Sequence, residues 1–389
     1  MRGKILVLAN SCWHIYHYHL ALLLQLQQQG YTLAIAAPDD PYRKLLKKAG
    51  LTNYHPLYQL EAHNRYPWKE AQLLWEIFAI IRREKPALVL SYTIKPNLYG
   101  SLAAAWLQIP IVPTLTGLGY TFLHQKGWNS LIPLLYRWSF RKLKRIVFQN
   151  PADLDLFVRR KLIQANQAIL IPGSGIDLQR FSFQPFTNQQ SERVIFLYLG
   201  RLLADKGLRE LADAAQKLHA EQANIEIWIA GALQNGYPAS INAKELHRWI
   251  DTGIIRYWGY CEDVRPLIAA CHVLVLPSYR EGLSRALLEG MATGRALLTT
   301  DVPGCRDLVI SNQNGILVPP RDAASLYQAM RKMAAYSQTE LAQMGRKSAQ
   351  LTDSVFSNQA VCSAYIEHIQ NLIPKPSPGL NPLKIALTP

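Results

Sequence analysis

Glu281 and Glu289 stand eight positions apart, on either side of a Gly282-Leu283-Ser284 turn. The apolar run His272–Pro277 leads into the turn, and the pattern predicts a helix from about Arg285 to Thr293 leading out. Ser284 then serves as N-cap. The amides around Leu283 to Ala286 are donors without intrahelical partners at the positive end of the helix dipole, an arrangement that binds phosphate. Glu289 falls roughly a turn and a half into the helix, where a carboxylate can accept both hydroxyls of a ribose. Glu281 precedes the helix and can bind sugar hydroxyls or stabilise positive charge. The competing reading pairs Glu281 with Arg280 or Arg285 and leaves Glu289 in solvent.

A second such stretch is Gly200-Arg201-Leu202-Leu203-Ala204-Asp205-Lys206-Gly207, which follows the apolar run Val194–Leu199. Gly200 permits close backbone approach. Arg201 and Lys206 offer charge-assisted hydrogen bonds to a diphosphate. Alone, the stretch also reads as an exposed basic loop; with the Glu281 turn it makes the second jaw of a diphosphate clamp. Trp258-Gly259-Tyr260-Cys261 follows a further predicted strand, and the backbone at Tyr260 can pair with a base edge.

The elements that must hold these loops follow a repeating order. Strands are predicted at Lys4–Ala9, Tyr31–Ala37, Ala87–Tyr92, Ile111–Thr116 and Arg145–Gln149. Helices are predicted at His17–Gln29, Trp68–Arg83, Leu98–Leu107 and Leu131–Leu143, with Asn10–His14 as a loop. The order restarts after the polar stretch Thr187–Ser191, with strands at Val194–Leu199, Ile225–Ala230, Ile254–Trp258, Val273–Leu276 and Ala296–Thr300. Alternating strands and helices with short links specify parallel sheets covered on both faces. At 389 residues the chain exceeds one ordinary core. The fold class is therefore α/β, with two Rossmann-like doubly wound domains facing across a cleft. The expected division is residues 1–170 and 171–354, with an extended tail over 373–389. Ligands in such sheets bind beyond the carboxyl ends of the strands, which is where both jaws lie.

The chain is 49% apolar and 18% charged, a soluble globular composition, without a run of about 18 uncharged apolar residues that would span a membrane. The short apolar run after Met1 reads as a buried strand rather than a signal peptide. Cys12, Cys261, Cys271, Cys305 and Cys362 show neither disulfide nor metal spacing, and no metal or cofactor is expected. Residues 1–170 hold 21 Lys and Arg against 8 Asp and Glu, whereas residues 171–389 hold 21 against 19. The basic half should meet something anionic. Its cations concentrate at Arg43–Lys48 and at Tyr136–Arg145, where Trp138 and Phe140 intervene. Such aromatic and basic helices suit an anionic bilayer surface. No nucleic-acid recognition motif accompanies the charge, so nucleic acid is not an expected partner.

Together, Gly200-Arg201…Lys206-Gly207, Gly259-Tyr260…Asp263-Val264 and Glu281…Glu289 resemble the nucleotide-sugar half of family 4 glycosyltransferases, retaining enzymes of the GT-B fold. Thr299–Asp307 and Asn314–Pro319 extend the resemblance. In the first half, Tyr92–Ser101, with Lys95 and Asn97, Thr116-Gly117-Leu118-Gly119-Tyr120 and Phe148–Asp153 resemble the subgroup of bacterial capsule, O-antigen and N-glycan transferases that act on polyprenyl-diphosphate-linked saccharides. The resemblance implies that Arg201 and Lys206 bind the donor diphosphate, Glu281 the donor sugar and Glu289 the ribose. Gly200, Tyr260, Gly282, Leu283 and Ser284 would complete the donor site. Trp13, His14, Lys95, Asn97, Thr116, Gly117 and Tyr120 would line the acceptor side of the cleft. It also implies that a last helix, about 355–372, returns to the first domain.

Three departures stand out: Asn10–His14 lacks the paired glycines of many members, His19 stands where subgroup relatives carry Arg, and Thr114–Gly117 lacks a histidine common elsewhere in the family. The implied reaction is transfer of a hexose or N-acetylhexosamine from a nucleotide sugar, UDP-linked, to a lipid-diphosphate-linked saccharide. The implied location is the inner face of the plasma membrane. A GT-B enzyme with a soluble acceptor and a nucleotide-sugar 2-epimerase are the alternatives.

Overall fold

The central apolar runs become strands because each is long enough to cross a sheet and is buried on both faces, the pattern of parallel β structure. In the computed structural model, which describes residues 2–60, 67–118, 132–185, 193–234 and 239–373, they form two sheets. The first contains β1 (Lys4–Leu8), β2 (Thr32–Ala37), β3 (Tyr54–Pro56), β4 (Leu88–Tyr92), β5 (Ile111–Leu115), β6 (Ile146–Phe148) and β7 (Ala168–Leu170). Its strand order is β3-β2-β1-β4-β5-β6-β7, and every pairing is parallel. The second contains β8 (Val194–Leu199), β9 (Ile225–Ala230), β10 (Arg256–Tyr257), β11 (Val273–Leu276), β12 (Ala296–Thr300) and β13 (Gly315–Val318). Its order is β10-β9-β8-β11-β12-β13, again all parallel. The strand order reverses between β1 and β4 and between β8 and β11, so each domain has its crevice at those strand ends. The loops after β8 and β11 are Gly200–Lys206 and Pro277–Ser284, the two jaws. Tyr120, the polar stretch Thr187–Ser191 and the tail beyond Ile373 lie outside the described residues.

Two segments carry the chain between the domains, and they are bonded to each other. Ile176 N donates to Phe356 O and Asn358 N to Ile176 O, both at 2.9 Å. The second crossing follows a turn of π-helix at Thr352–Phe356, a local insertion that redirects the chain. The helix Asn358–Gln370 then buries Val361, Cys362, Tyr365 and Ile369 in the first domain's core beside Ile5, Val7 and Leu90. Tyr365 OH reaches Thr114 Oγ1 at 3.3 Å.

Two local expectations need correction. The predicted helix His17–Gln29 with a preceding loop is two helices, Cys12–Tyr18 and Leu20–Gln28, broken at His19. Ser11 accepts from His14 N at 3.0 Å and starts the first one, so Trp13 and His14 sit on a helical turn rather than in a loop. The aromatic and basic stretch Tyr136–Arg145 is helical only as far as Phe140. Its last cation, Arg145, donates to Asn166 O at 2.8 Å.

Burial keeps several histidines neutral. His14 and His272 are pushed down to about 4, and His19 lies well below its ordinary value. His272 Nδ1 accepts from Ile195 N at 3.0 Å, tying β8 to the start of β11. In the unfolded chain these rings titrate near ~6.5, so between about pH 6.5 and 4 the unfolded state binds more protons and stability falls as pH drops. Thermal melts should be level above about pH 7 and decline steadily below ~6.5. His272→Asn, which keeps an acceptor for Ile195 N, should lessen the slope; a melting temperature that is flat or rises on acidification contradicts the assignment.

Candidate functional site

Between the two sheets' carboxyl ends lies a cavity of about 560 Å³. Its second-domain wall holds Gly200, Arg201, Lys206, Tyr260, Glu281, Gly282, Leu283, Ser284 and Glu289, so the structure gathers every expected donor-side residue around one space. Its first-domain wall holds Trp13, His14, Tyr18, His19, Thr116 and Gln149, and the crossing segment adds Gly173 and Ser174.

Lys206 is placed by a one-turn 3-10 helix, Ala204–Lys206. Gly207 ends that turn with φ +74°, and a Cβ there would lie 2.0 Å from Pro277 O. The loop is therefore pressed against the end of β11, which brings Lys206 Nζ to 2.5 Å from Glu281 Oε1. The competing partners suggested for Glu281 are engaged elsewhere: Arg280 with Asp153, and Arg285 with Glu289 Oε1 at 3.2 Å.

The helix Arg285–Thr293 starts as its sequence predicts, with Ser284 Oγ accepting from Leu287 N at 3.4 Å. One detail differs. Ser284 N donates to Gly304 O at 3.1 Å, so this amide holds the turn in place and is not available to a ligand. Glu289 is not the solvated side chain of the competing reading: its side chain is 16% exposed, and burial pushes its carboxyl up, against the opposing effect of Arg285. Arg285 was not foreseen as a site residue. Its Nη1 donates to Gly175 O at 3.1 Å, and its guanidinium lies 5.5 Å from the centre of the Tyr18 ring.

The first-domain wall is aromatic and neutral. His19 stacks on Tyr92 with ring centres 3.6 Å apart, and its Nε2 lies 3.3 Å from His14 Nε2. A neutral imidazole suits this buried shelf, and it puts no fixed positive charge on this wall. Trp13 and Thr116 share the wall. Gly117 touches the opposite domain, since a Cβ on it would come within 3.0 Å of Gly282 Cα.

Lys95 and Asn97 are not on this wall. Asn97 is 1% exposed; its Oδ1 accepts from Ser91 Oγ at 2.9 Å and its Nδ2 donates to Thr114 O at 2.8 Å. It ties β4 to β5 inside the first domain, with both ends of its amide occupied. Lys95 pairs with Glu70 at 2.7 Å, and Tyr99 OH donates to the same carboxylate at 2.7 Å.

Sequence reasoning missed Asn150, Asp153 and Arg280 as well. Asn150 caps the helix Pro151–Arg159 by accepting from Asp153 N at 2.8 Å. Its Nδ2 also donates across the cleft to Gly282 O at 2.7 Å. The Asn-Pro-Ala-Asp order is a legible helix start, which would have put Asn150 at the rim of the first crevice. Nothing local names its partner in the second domain.

Gly207→Ala should cost roughly 3 kcal/mol from backbone strain and overpacking, a fall of several degrees in melting temperature. Gly253→Ala is the control, with φ +70° but nothing within 4 Å of an added Cβ. Equal losses in the two variants contradict the contact with Pro277.

Residues 193–335 match the family described as glycosyl transferases group 1, and residues 4–150 the family described as glycosyl transferase 4-like. The chain is 25% identical over 339 residues to the N,N'-diacetylbacillosaminyl-diphospho-undecaprenol alpha-1,3-N-acetylgalactosaminyltransferase of Campylobacter jejuni, covering 83% of this chain and 87% of that protein. It is 22% identical over 283 residues to the UDP-Gal:alpha-D-GlcNAc-diphosphoundecaprenol alpha-1,3-galactosyltransferase of Escherichia coli, covering 67% and 70%. Among solved structures, Anabaena HepE in complex with UDP and glucose superposes with a TM-score of 0.78 at 17% identity, over 95% of this chain and 100% of that one. The chain therefore belongs to the glycosyltransferases, with a 4-like first domain and a group 1 second domain joined in the GT-B fold.

Proposed function

We propose that the protein transfers a hexose or N-acetylhexosamine, with retention of configuration, from a UDP-linked sugar to a lipid-diphosphate-linked saccharide in cell-surface glycan assembly. The observation that carries this reading is the enclosure of Arg201, Lys206, Glu281, Glu289 and the start of helix Arg285–Thr293 around one cavity. The bond between the anomeric carbon and the diphosphate breaks, and the acceptor oxygen bonds to the same face. The acceptor proton passes to the departing phosphate oxygen. Arg201, Lys206 and the helix start stabilise the charge gathering on that phosphate, so the site requires no metal. Lys206 is held on Glu281 in this structure, and a diphosphate competes for its ammonium group. Glu281 contacts the donor sugar and Glu289 the ribose.

The assay is transfer across a panel of nucleotide sugars with a short-chain prenyl-diphosphate sugar as acceptor. Lys206→Ala and Glu281→Ala should each lower kcat about a hundredfold or more, and EDTA should leave the rate unchanged. Near-normal turnover in either variant removes its assigned role. Transfer only to soluble sugars, or epimerisation of the donor, overturns the acceptor reading.

An acceptor of this kind is anchored in a bilayer. Among the described residues no helix is long and apolar enough to cross a membrane, and we place the protein peripherally on the cytoplasmic surface. The two basic stretches do not share a face of the first sheet: Leu46 packs in the core on one side, Tyr136 and Phe140 in the core on the other. The second side also presents Trp75, Trp106 and Trp138, each more than half exposed. Arg141, Lys142, Lys144 and Arg145 come shortly after Trp138 in the chain and line one groove with His368. Exposed tryptophans beside a cluster of cations fit an anionic bilayer. The protein should sediment with phosphatidylglycerol vesicles and not with phosphatidylcholine. Alanine at those four cations should weaken binding by about fivefold for each of them that meets the surface. Indifference to anionic lipid contradicts the docking face.

A further inference from the structure

The turn that carries Glu281 belongs to the second domain but is held from the first. Asp153, 1% exposed, forms an ion pair with Arg280, the residue before Glu281. Asn150 Nδ2 donates to Gly282 O, the residue after it, at 2.7 Å, and to Asp153 Oδ2 at 3.0 Å. One first-domain helix start therefore grips the backbone and side chain on both sides of Glu281. The grip is costly to leave empty. Burial pushes the Asp153 carboxyl up, and Arg280 is the largest influence opposing that shift. A buried carboxylate that loses its partner is strongly destabilised. Behind the turn, Glu281 N donates to Pro303 O and Ser284 N to Gly304 O, both at 3.1 Å, and Ser278 Oγ to Arg280 O at 3.2 Å, so the second domain holds the backbone from behind while the Arg280 side chain and Gly282 O are held from the first domain.

We propose that Asn150 and Asp153 are positioning residues for sugar transfer: they clasp Arg280 and Gly282 when the domains close, and thereby fix the turn that presents Glu281 to the cavity. Separating the domains breaks both contacts, so the completed geometry exists only in the closed form. This rests on the transferase reading of the cavity. UDP would be bound by second-domain groups, so loss of the clasp leaves UDP affinity in place and reduces turnover.

The test uses the full chain. Asp153→Asn, Arg280→Ala, their double variant and Asn150→Ser are compared for kcat, UDP affinity by calorimetry, melting temperature, and small-angle scattering with and without UDP. Asn150→Ser keeps a helix cap while its side chain is too short to reach Gly282 O, so it reads the clasp even where the Asp153 variants fold poorly. Tenfold or greater losses of kcat are expected in each, with UDP affinity within about twofold. The double variant should lose no more than the worse single one, as coupled residues do. Scattering should show a larger radius of gyration for the variants than for the wild type with UDP bound. Unchanged kcat in Asn150→Ser, multiplying losses in the double variant, or unchanged scattering overturns the proposal. Scattering needs no acceptor, so a wild type inactive on every nucleotide sugar removes the transferase reading while the clasp is still decided by the change in shape.

Discussion

Gly282 has no room for a side chain because the other domain occupies the space. A Cβ on it would lie 1.9 Å from Thr116 O, and a Cβ on Gly304 would lie 2.6 Å from the carbonyl oxygens of both Glu281 and Gly282. The turn is thus a middle layer, with a first-domain loop in front and a second-domain loop behind. Glu281, the partner of Lys206 and the start of helix Arg285–Thr293 all hang from it. The apposition of the domains and the geometry of the site are one constraint, satisfied only by backbone packed against backbone.

Charge is divided unevenly across that contact. The second-domain wall carries Arg201, Lys206 and Arg285, whereas the first-domain wall holds Trp13, Tyr18, Thr116, Gln149 and histidines that burial keeps neutral. Among the described residues, the positive surplus of the first half is consequently not in the cleft. It lies on the outer helices and the turns that follow them, which a count along the sequence could not reveal.

What the sequence made legible follows from physical range. The strands could be read because each is a short apolar run between turn signals, and their parallel order follows from the alternation with helices. The donor jaws could be read because glycine, a cation and a cap residue sit within a few positions of one another. Asn97 was misread because its motif looks like exposed ligand chemistry, while its amide is spent between Ser91 and Thr114 inside the domain. Trp13 to His19 hid a helix start because aromatic residues and histidines crowd a segment without clear apolar periodicity. The pairing of Asp153 with Arg280 spans 127 positions, and no local signal encodes it.

The linker between the domains is also part of the site. A Cβ on Gly173 would meet Leu283 Cδ2 at 2.6 Å, so this segment runs directly beneath the turn. Arg285 joins the two: its Nη1 holds Gly175 O, and its Nε holds Glu289 Oε1. A ligand hydroxyl that takes the Glu289 carboxylate shares it with this guanidinium. The guanidinium's other hydrogen bond is to the chain that must bend when the domains move. The next residue after Gly175, Ile176, is bonded to the return crossing at Phe356 and Asn358. Occupancy at Glu289 and the path of both crossings are therefore linked through one side chain and one pair of backbone bonds, without any intervening element.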